Sequence, residues 1–224
     1  MKKIIFTMFI LLSFIPLQGQ NLYINEIITS NTNVITDDDG SYEDWVELYY
    51  TGSEAFNLEG YGLSDDVTVP YKWVFPEYWI EPGDHLVLWC SDKNRTDINN
   101  DLHTNFKIGS GGEIITLTKP DGSVADTYPA VVIGNNISYG RQHDGSATLV
   151  YFAQPTPWES NTTQGYSQVL VAPSVSAASG FFTSNFPLTV SHPDPSVTIV
   201  YTLDGSDPEL TNVSGTNYNY KNSY

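Results

Sequence analysis

Residues 44–50 read Asp44-Trp45-Val46-Glu47-Leu48-Tyr49-Tyr50. Side chains of a β-strand point alternately to its two faces, so Trp45, Glu47 and Tyr49 share one face and Val46, Leu48 and Tyr50 the other. Aromatic and branched residues at this spacing suit a half-buried pleated surface. Upstream, Leu22-Tyr23-Ile24-Asn25-Glu26-Ile27-Ile28 predicts a first strand. Downstream come Tyr71-Lys72-Trp73-Val74-Phe75 and, after the turn Glu81-Pro82-Gly83-Asp84, the strand His85–Cys90. Glu113–Thr118 and Ser123–Tyr128 flank Lys119-Pro120-Asp121-Gly122, a hairpin signal. Leu149–Phe152 reads as the last strand of this block. No window holds a helical period, so the fold class is all-β.

The pattern breaks over Gln154–Gly165, where prolines and small polar residues dominate. The expected layout is an export signal over 1–20, a β-sandwich domain over 21–162, a linker over 163–172 and a second β module over 173–224. In that module Val197–Leu203 followed by Asp204-Gly205 signals a hairpin, with no obvious apolar return strand. A sandwich of seven strands needs about 100 residues. The second module is therefore expected to be incomplete, and the chain to be the front end of a longer protein.

Composition narrows the function classes. The chain has 224 residues, 40% hydrophobic, which suits a packed core. Nine basic against 26 acidic residues give a net charge of −17, a poor match to nucleic-acid phosphates and to anionic membranes. Residues 1–20, MKKIIFTMFILLSFIPLQGQ, join two lysines to an apolar run of about a dozen residues, the layout of a secretory signal rather than of a membrane span. The expected location is secreted or at the cell surface. No membrane span is expected once the signal is removed. The single cysteine, Cys90, allows no internal disulfide and no multi-cysteine zinc site. It ends an apolar strand and reads as a buried, inert thiol. Asn94, Asn136, Asn161 and Asn212 start glycosylation-type triplets, taken as chance in an Asn-rich chain.

Residues 22–161 resemble the lamin tail domain of secreted bacterial proteins. The match runs through Ile24-Asn25-Glu26-Ile27, Asp44–Tyr49 and Leu58-Glu59-Gly60-Tyr61-Gly62-Leu63-Ser64-Asp65. It continues through Leu102–Ile108, Pro120–Asp126 and Ser138-Tyr139-Gly140-Arg141, and closes on Pro155-Thr156-Pro157 and Asn161. The resemblance implies an immunoglobulin-like β-sandwich without catalysis of its own. Trp158 departs from the family pattern, which usually carries Gly after Pro-Thr-Pro. Residues 173–208 are similar to the small β module at the C-terminus of chitobiases and hexosaminidases, through Tyr201-Thr202-Leu203-Asp204-Gly205-Ser206-Asp207-Pro208. In secreted bacterial proteins such a pair often precedes a region similar to spore-coat protein H, a kinase-like fold.

Candidate chemistry is thin, and no catalytic, cofactor or metal residue is assigned. The acidic run Asp37–Asp44 offers calcium-type oxygens, but the EF-hand spacing fails: with Gly40 sixth, Ile35 and Val46 stand at the first and twelfth positions. A solvated loop is the preferred reading. Asp92–Asp101 reads as a long surface loop in which Lys93 and Arg95 weaken any cation site. Of the four histidines, His85, His103, His143 and His192, no pair has zinc-protease spacing. His103 reads as structural. Arg141–Ser146 holds His143, Asp144 and Ser146 in one turn, too close in sequence to converge as a triad. Glu26, Glu47 and Glu113 are possible glycosidase-type acids that the sequence cannot pair. Gly109–Gly112 precedes a strand and reads as a turn. Trp45, Trp73 and Trp89 suit a core, while Trp79 and Trp158 are the expected exposed ones.

The sequence thus predicts a non-enzymatic exported interaction or adhesion module, needing no cofactor, whose partner is a protein or a glycan. Two alternatives stand beside it: a carbohydrate-binding accessory to a glycan-acting enzyme, and the front of a protein whose kinase-like region lies beyond residue 224.

Overall fold

The computed structural model describes residues 21–202, Ser206, Pro208 and the backbone of 217–221. The expected export signal and the Asp204-Gly205 turn lie outside the described residues. Every regular element among the described residues is a strand. The chain divides into two compact units, meeting between Gln168 and Val169.

In the first unit β1 (Leu22–Ile28), β2 (Asp44–Tyr50), β7 (His85–Cys90), β10 (Ser138–Arg141), β11 (Leu149–Phe152) and β12 (Gly165–Tyr166) form an antiparallel sheet in the order β12-β11-β10-β1-β2-β7. A second sheet has the order β5-β4-β8-β9, from β4 (Gly62–Ser64), β5 (Trp73–Val74), β8 (Ile115–Thr118) and β9 (Val124–Tyr128). The short strands β3 (Phe56–Asn57) and β6 (Trp79–Ile80) pair separately. Ile24, Ile27, Val46, Leu48 and Leu88 of the first sheet share one buried cluster with Leu63, Trp73, Ile115, Leu117 and Tyr128 of the second. Two sheets burying their inner faces in a common core make a β-sandwich.

Strand β1 carries a bulge. Ile24 pairs with Leu48, but Glu26, not Asn25, pairs with Glu47. The extra residue reverses the alternation, because the side-chain period is two. Leu22, Ile24 and Ile27 therefore all enter the core, while Ile28 joins Trp45, Val87 and Trp89 in a second buried cluster. Strict alternation would have placed Ile27 opposite Ile24. The outer face of the main sheet is thus buried too, with Val34 and Ile35 against its second cluster.

Several expectations shift. Residues 163–172 include strand β12, which pairs with β11 (Tyr151↔Tyr166), so Leu149–Phe152 is not the last strand of the sheet. The Tyr71–Phe75 strand shrinks to two residues, and Glu113 lies ahead of β8. In the second unit, β13 (Ser174–Val175) pairs with β14 (Val190–Ser191). There β15 (Thr198–Thr202) does have a return strand, β16 (Asn217–Lys221), in register from Thr198↔Lys221 to Thr202↔Asn217. Its sequence Asn-Tyr-Asn-Tyr-Lys carries β propensity in tyrosine instead of aliphatic residues, which a search for an apolar run misses.

Candidate functional site

A buried polar cluster lies on the outer face of the main sheet. Glu26 and Glu47 are direct partners across β1 and β2, and both are fully buried. Gly140, opposite Glu26 on β10, makes room: a Cβ there would stand 2.9 Å from Phe152 and 3.1 Å from Glu26 Cγ. The closing segment 155–161 lies over the two acids. The Thr156 N–H is 3.2 Å from each Glu26 oxygen, the Thr156 hydroxyl donates to Oε2 at 3.0 Å, and the Ser138 hydroxyl donates to Oε1. The Trp158 N–H donates to Glu47 Oε2 at 2.6 Å, and the Asn25 amide donates to Oε1 at 3.2 Å. The same Asn25 amide reaches Asp144 Oδ1 at 3.0 Å, which also accepts the Asn161 N–H at 2.9 Å. His85 Nε2 stands 3.3 Å from Asp144 Oδ2.

The electrostatics follow from burial. Loss of water pushes the Glu47 carboxyl up to about 9, with the neighbouring charges of Glu26 and Asp144 adding to the rise. Burial also raises Glu26, against the pull of its Ser138 and Thr156 bonds. Burial of Asp144 is outweighed by its bonds from Asn161, Ser160 and Asn25, so its carboxyl lies below the usual range. The sequence could not pair the strand-borne acids; the structure pairs Glu26 with Glu47 and leaves Glu113 apart, accepting the Gly109 N–H at 2.6 Å. Glycoside cleavage needs acids that a sugar can reach. These two are sealed beneath Thr156 and Trp158, and their oxygens hold the closing segment. Asn161 is 1% exposed and its amide donates to the Arg141 carbonyl at 2.6 Å, so its triplet is spent on packing.

Trp158 explains its departure from the family pattern. Its φ is +65°, a left-handed conformation that favours glycine. Its ring packs edge-on against Trp89 at 6.3 Å, and its N–H bond to Glu47 fixes the turn. Trp158 as a residue is 48% exposed, as expected, and Trp45, Trp73 and Trp89 are buried, also as expected.

A second cluster joins two loops that read separately in the sequence. Lys93 Nζ binds Asp37 and, at 2.9 Å, Asp39. Arg95 binds Asp38 at 3.1 Å and Asp39 at 2.5 Å, and Lys107 binds Glu43 at 3.1 Å. The Arg95 and Lys93 bonds hold Asp39 down at about 2. His103 sits beneath, fully buried, with Nδ1 2.8 Å from Ser91 Oγ. Burial, then the charges of Lys93 and Arg95, lower its basicity. Asp37, Asp38 and His103 bring ligand atoms within 4.8 Å of one another, a metal-like grouping that separations of over 60 residues hid from the sequence. Here protein cations already occupy the carboxylates. The run is not the solvated loop expected but half of an ion-pair network, because the basic residues of 92–107 fold back onto it.

The remaining candidates are structural. Cys90 is fully buried and its thiol is pushed far up by burial, which makes it unreactive. His143–Ser146 is a turn closed by the Ser146 N–H on the His143 carbonyl at 2.9 Å, with Asp144 directed into the buried cluster. Gly109–Gly112 is likewise a turn, Gly112 N–H to Gly109 carbonyl at 3.1 Å.

One surface feature stands apart. Ile80 of β6 is buried, so alternation turns Trp79 outward, 58% exposed. Ile98, 52% exposed, lies across from it, and Pro76, Glu77, Tyr78, Thr96 and Asp97 complete an open groove of about 740 Å³. The exposure of Trp79 was legible in the sequence. The groove was not, because residues 96–98 come from a distant loop.

The model of the lamin tail domain matches residues 16–131, just over half of the 224. No curated protein matches the chain. The match stops before β10, although β10, β11 and β12 complete the same sheet. The two-sheet sandwich, with its bulged β1 and paired Glu26 and Glu47, is the form that this match takes here: the chain belongs to the lamin tail domain family.

Proposed function

We propose that the chain is a non-catalytic interaction or adhesion module of an exported protein, the N-terminal part of a larger secreted or cell-surface bacterial protein. The observation that carries this reading is how the polar groups are used. The buried acids Glu26, Glu47 and Asp144 are spent on the closing segment, while Trp79 and Ile98 are left on the surface. Exposed large apolar groups beside a rigid scaffold mark a contact surface. The lysine-led apolar segment 1–20 supports export. The similarity of 173–208 to the chitobiase-type module supports a second unit of the same modular protein.

The test is binding of the labelled chain to washed cells and isolated envelopes of the producing organism, with cell fractionation alongside. Saturable surface binding and recovery outside the cytoplasm are expected. Non-saturable binding, or a purely cytoplasmic protein, overturns the proposal. A second reading is a carbohydrate-binding accessory region, favoured by the exposed Trp79 ring as a sugar-stacking platform. Retardation in gels containing insoluble polysaccharide would support it. A kinase-like region beyond residue 224 would make the whole protein an enzyme without changing the role of this part.

A further inference from the structure

We propose that the Trp79–Ile98 groove is a docking site for a protein segment bearing arginine or lysine, with the cation seated on the Trp79 ring between Glu77 and Asp97. This rests on the interaction-module reading and names the partner's chemistry.

Three observations converge. First, the groove is built, not incidental. Trp79 stands on β6, whose neighbour Ile80 is locked in the core and whose register with β3 is Phe56↔Ile80 and Asn57↔Trp79. The opposite wall is pinned to residues 103–104. Arg95 and His103 exchange two backbone hydrogen bonds of 3.0 Å, and the Asn94 N–H donates to the Thr104 carbonyl at 3.0 Å. Ile98 is thereby held out in solvent, where an aliphatic side chain gains nothing unless something covers it.

Second, the charges in the groove have one sign. Glu77 and Asp97 line it, and none of its lining residues is a cation. The Asp97 carboxylate accepts the Asn99 N–H at 3.1 Å and the amides of Asn99 and Asn100 at 2.9 Å, neutral donors that fix its orientation, and it has no ion pair among the described residues. Glu77 accepts the Trp79 indole N–H at 3.3 Å, which aligns the ring beside the carboxylate. An adjoining hollow of about 620 Å³ shares Thr96 and Asp97 and adds Asp38, Asp39, Arg95 and Asn100. Arg95, the cation among its described lining residues, is already committed to Asp38 and Asp39.

Third, the chain as a whole carries −17, so long-range attraction also favours a cationic partner. An aromatic face with flanking carboxylates is the chemistry that holds a guanidinium or ammonium group. A neutral sugar would use the ring face but not the charge.

The test titrates the full chain, by calorimetry, with a short Gly-Ser peptide bearing paired arginines, its glutamate counterpart and neutral chito- and cello-oligosaccharides. Saturable binding of the arginine peptide alone is expected, weakening as salt is raised. Trp79→Ala should lower its affinity about tenfold, and Glu77→Lys should abolish binding. Both side chains are exposed, and an unchanged thermal melt confirms the fold. Equal affinity of wild type and Trp79→Ala means non-specific attraction to an acidic protein and overturns the proposal. So does salt-insensitive binding of the oligosaccharides, which assigns the groove to glycans. If Trp79→Ala loses the peptide yet still binds cells, the groove stands and is not the cell-binding surface. If cell binding persists while the peptide never binds, the module reading survives without this groove.

Discussion

Replacing Glu47 with glutamine isolates the energetic cost of the buried acid pair. In the unfolded chain Glu47 ionises near 4.5, whereas in the fold burial beside Glu26 holds it protonated up to about 9. Between those values the folded state carries a proton that the unfolded state has released. The stability from this group is therefore complete below pH 4.5 and is lost as pH rises toward 9. Each pH unit in that window costs about 1.4 kcal/mol, or ~6 kcal/mol over the whole interval, as an upper bound because Glu26 shares the response. A domain is stable by about 5–15 kcal/mol, so alkaline pH should bring this one close to unfolding. Glutamine keeps an oxygen for the Trp158 N–H bond and cannot ionise. Its NH2 replaces the oxygen that accepts the Asn25 amide, a loss that is the same at every pH, so the pH slope carries the comparison. Urea unfolding across about pH 5 to 9, followed by tryptophan fluorescence, checks this. Wild-type stability should fall with pH, and Glu47→Gln should fall less, its advantage growing by up to about 1.4 kcal/mol per pH unit. A flat wild-type profile, or a variant destabilised equally at every pH, would refute the reasoning. His103 acts at the other limb: its lowered basicity makes the fold lose stability as pH drops below 6.5.

Three further outcomes are expected. Trp158→Gly should be more stable than Trp158→Ala by about 1 kcal/mol in the same unfolding assay, since both lose the contact with Trp89 but only glycine relieves the positive φ. A chain ending at residue 131, where the family match stops, should fail to melt cooperatively by circular dichroism. One ending at Gln168 should melt in a single transition, because β10–β12 and the closing segment cover β1, Glu26 and Glu47. Calcium at about millimolar concentration should leave the melting temperature unchanged, because Lys93, Arg95 and Lys107 already occupy the acids of the 37–43 loop.

The long strands were legible because each carries its own signal. Leu22–Ile28, Asp44–Tyr50, His85–Cys90 and Leu149–Phe152 appear at the boundaries that their patterns suggest. Strands of two or three residues, such as β3, β4 and β12, are too short to hold a period. Strands β4 and β12 exist because the longer β8 and β11 supply their hydrogen-bond partners, and β3 pairs only with the equally short β6. The closing motif was visible as Pro155-Thr156-Pro157 and Asn161, but its function was not. Glu26 and Thr156 are 130 residues apart, and only the sheet brings them together. The pairing of Asp37–Glu43 with Lys93–Lys107 was hidden for the same reason: opposite charges in two loops look like two polar loops until the chain folds them together. Trp79 and Trp158 were both expected at the surface, and they stand there for different reasons, strand alternation for one and a left-handed turn for the other.

The bulge at Asn25 gives the first strand a tolerance unlike that of its neighbours. Ahead of it even-numbered residues face inward, and after it odd-numbered Ile27 does. Deleting Asn25 would leave Glu26 opposite Glu47 and Ile27 opposite Val46, because their partners already follow Leu48 without a break on β2, so every other side chain of the strand keeps its face. In relatives, a one-residue gap at this position should therefore spare the Glu26–Glu47 pairing and cost the bonds of Asn25, those to Glu47 and Asp144 among them. An insertion or gap elsewhere in the strand would turn the residues beyond it to the wrong face, and such changes should collect in the connections instead.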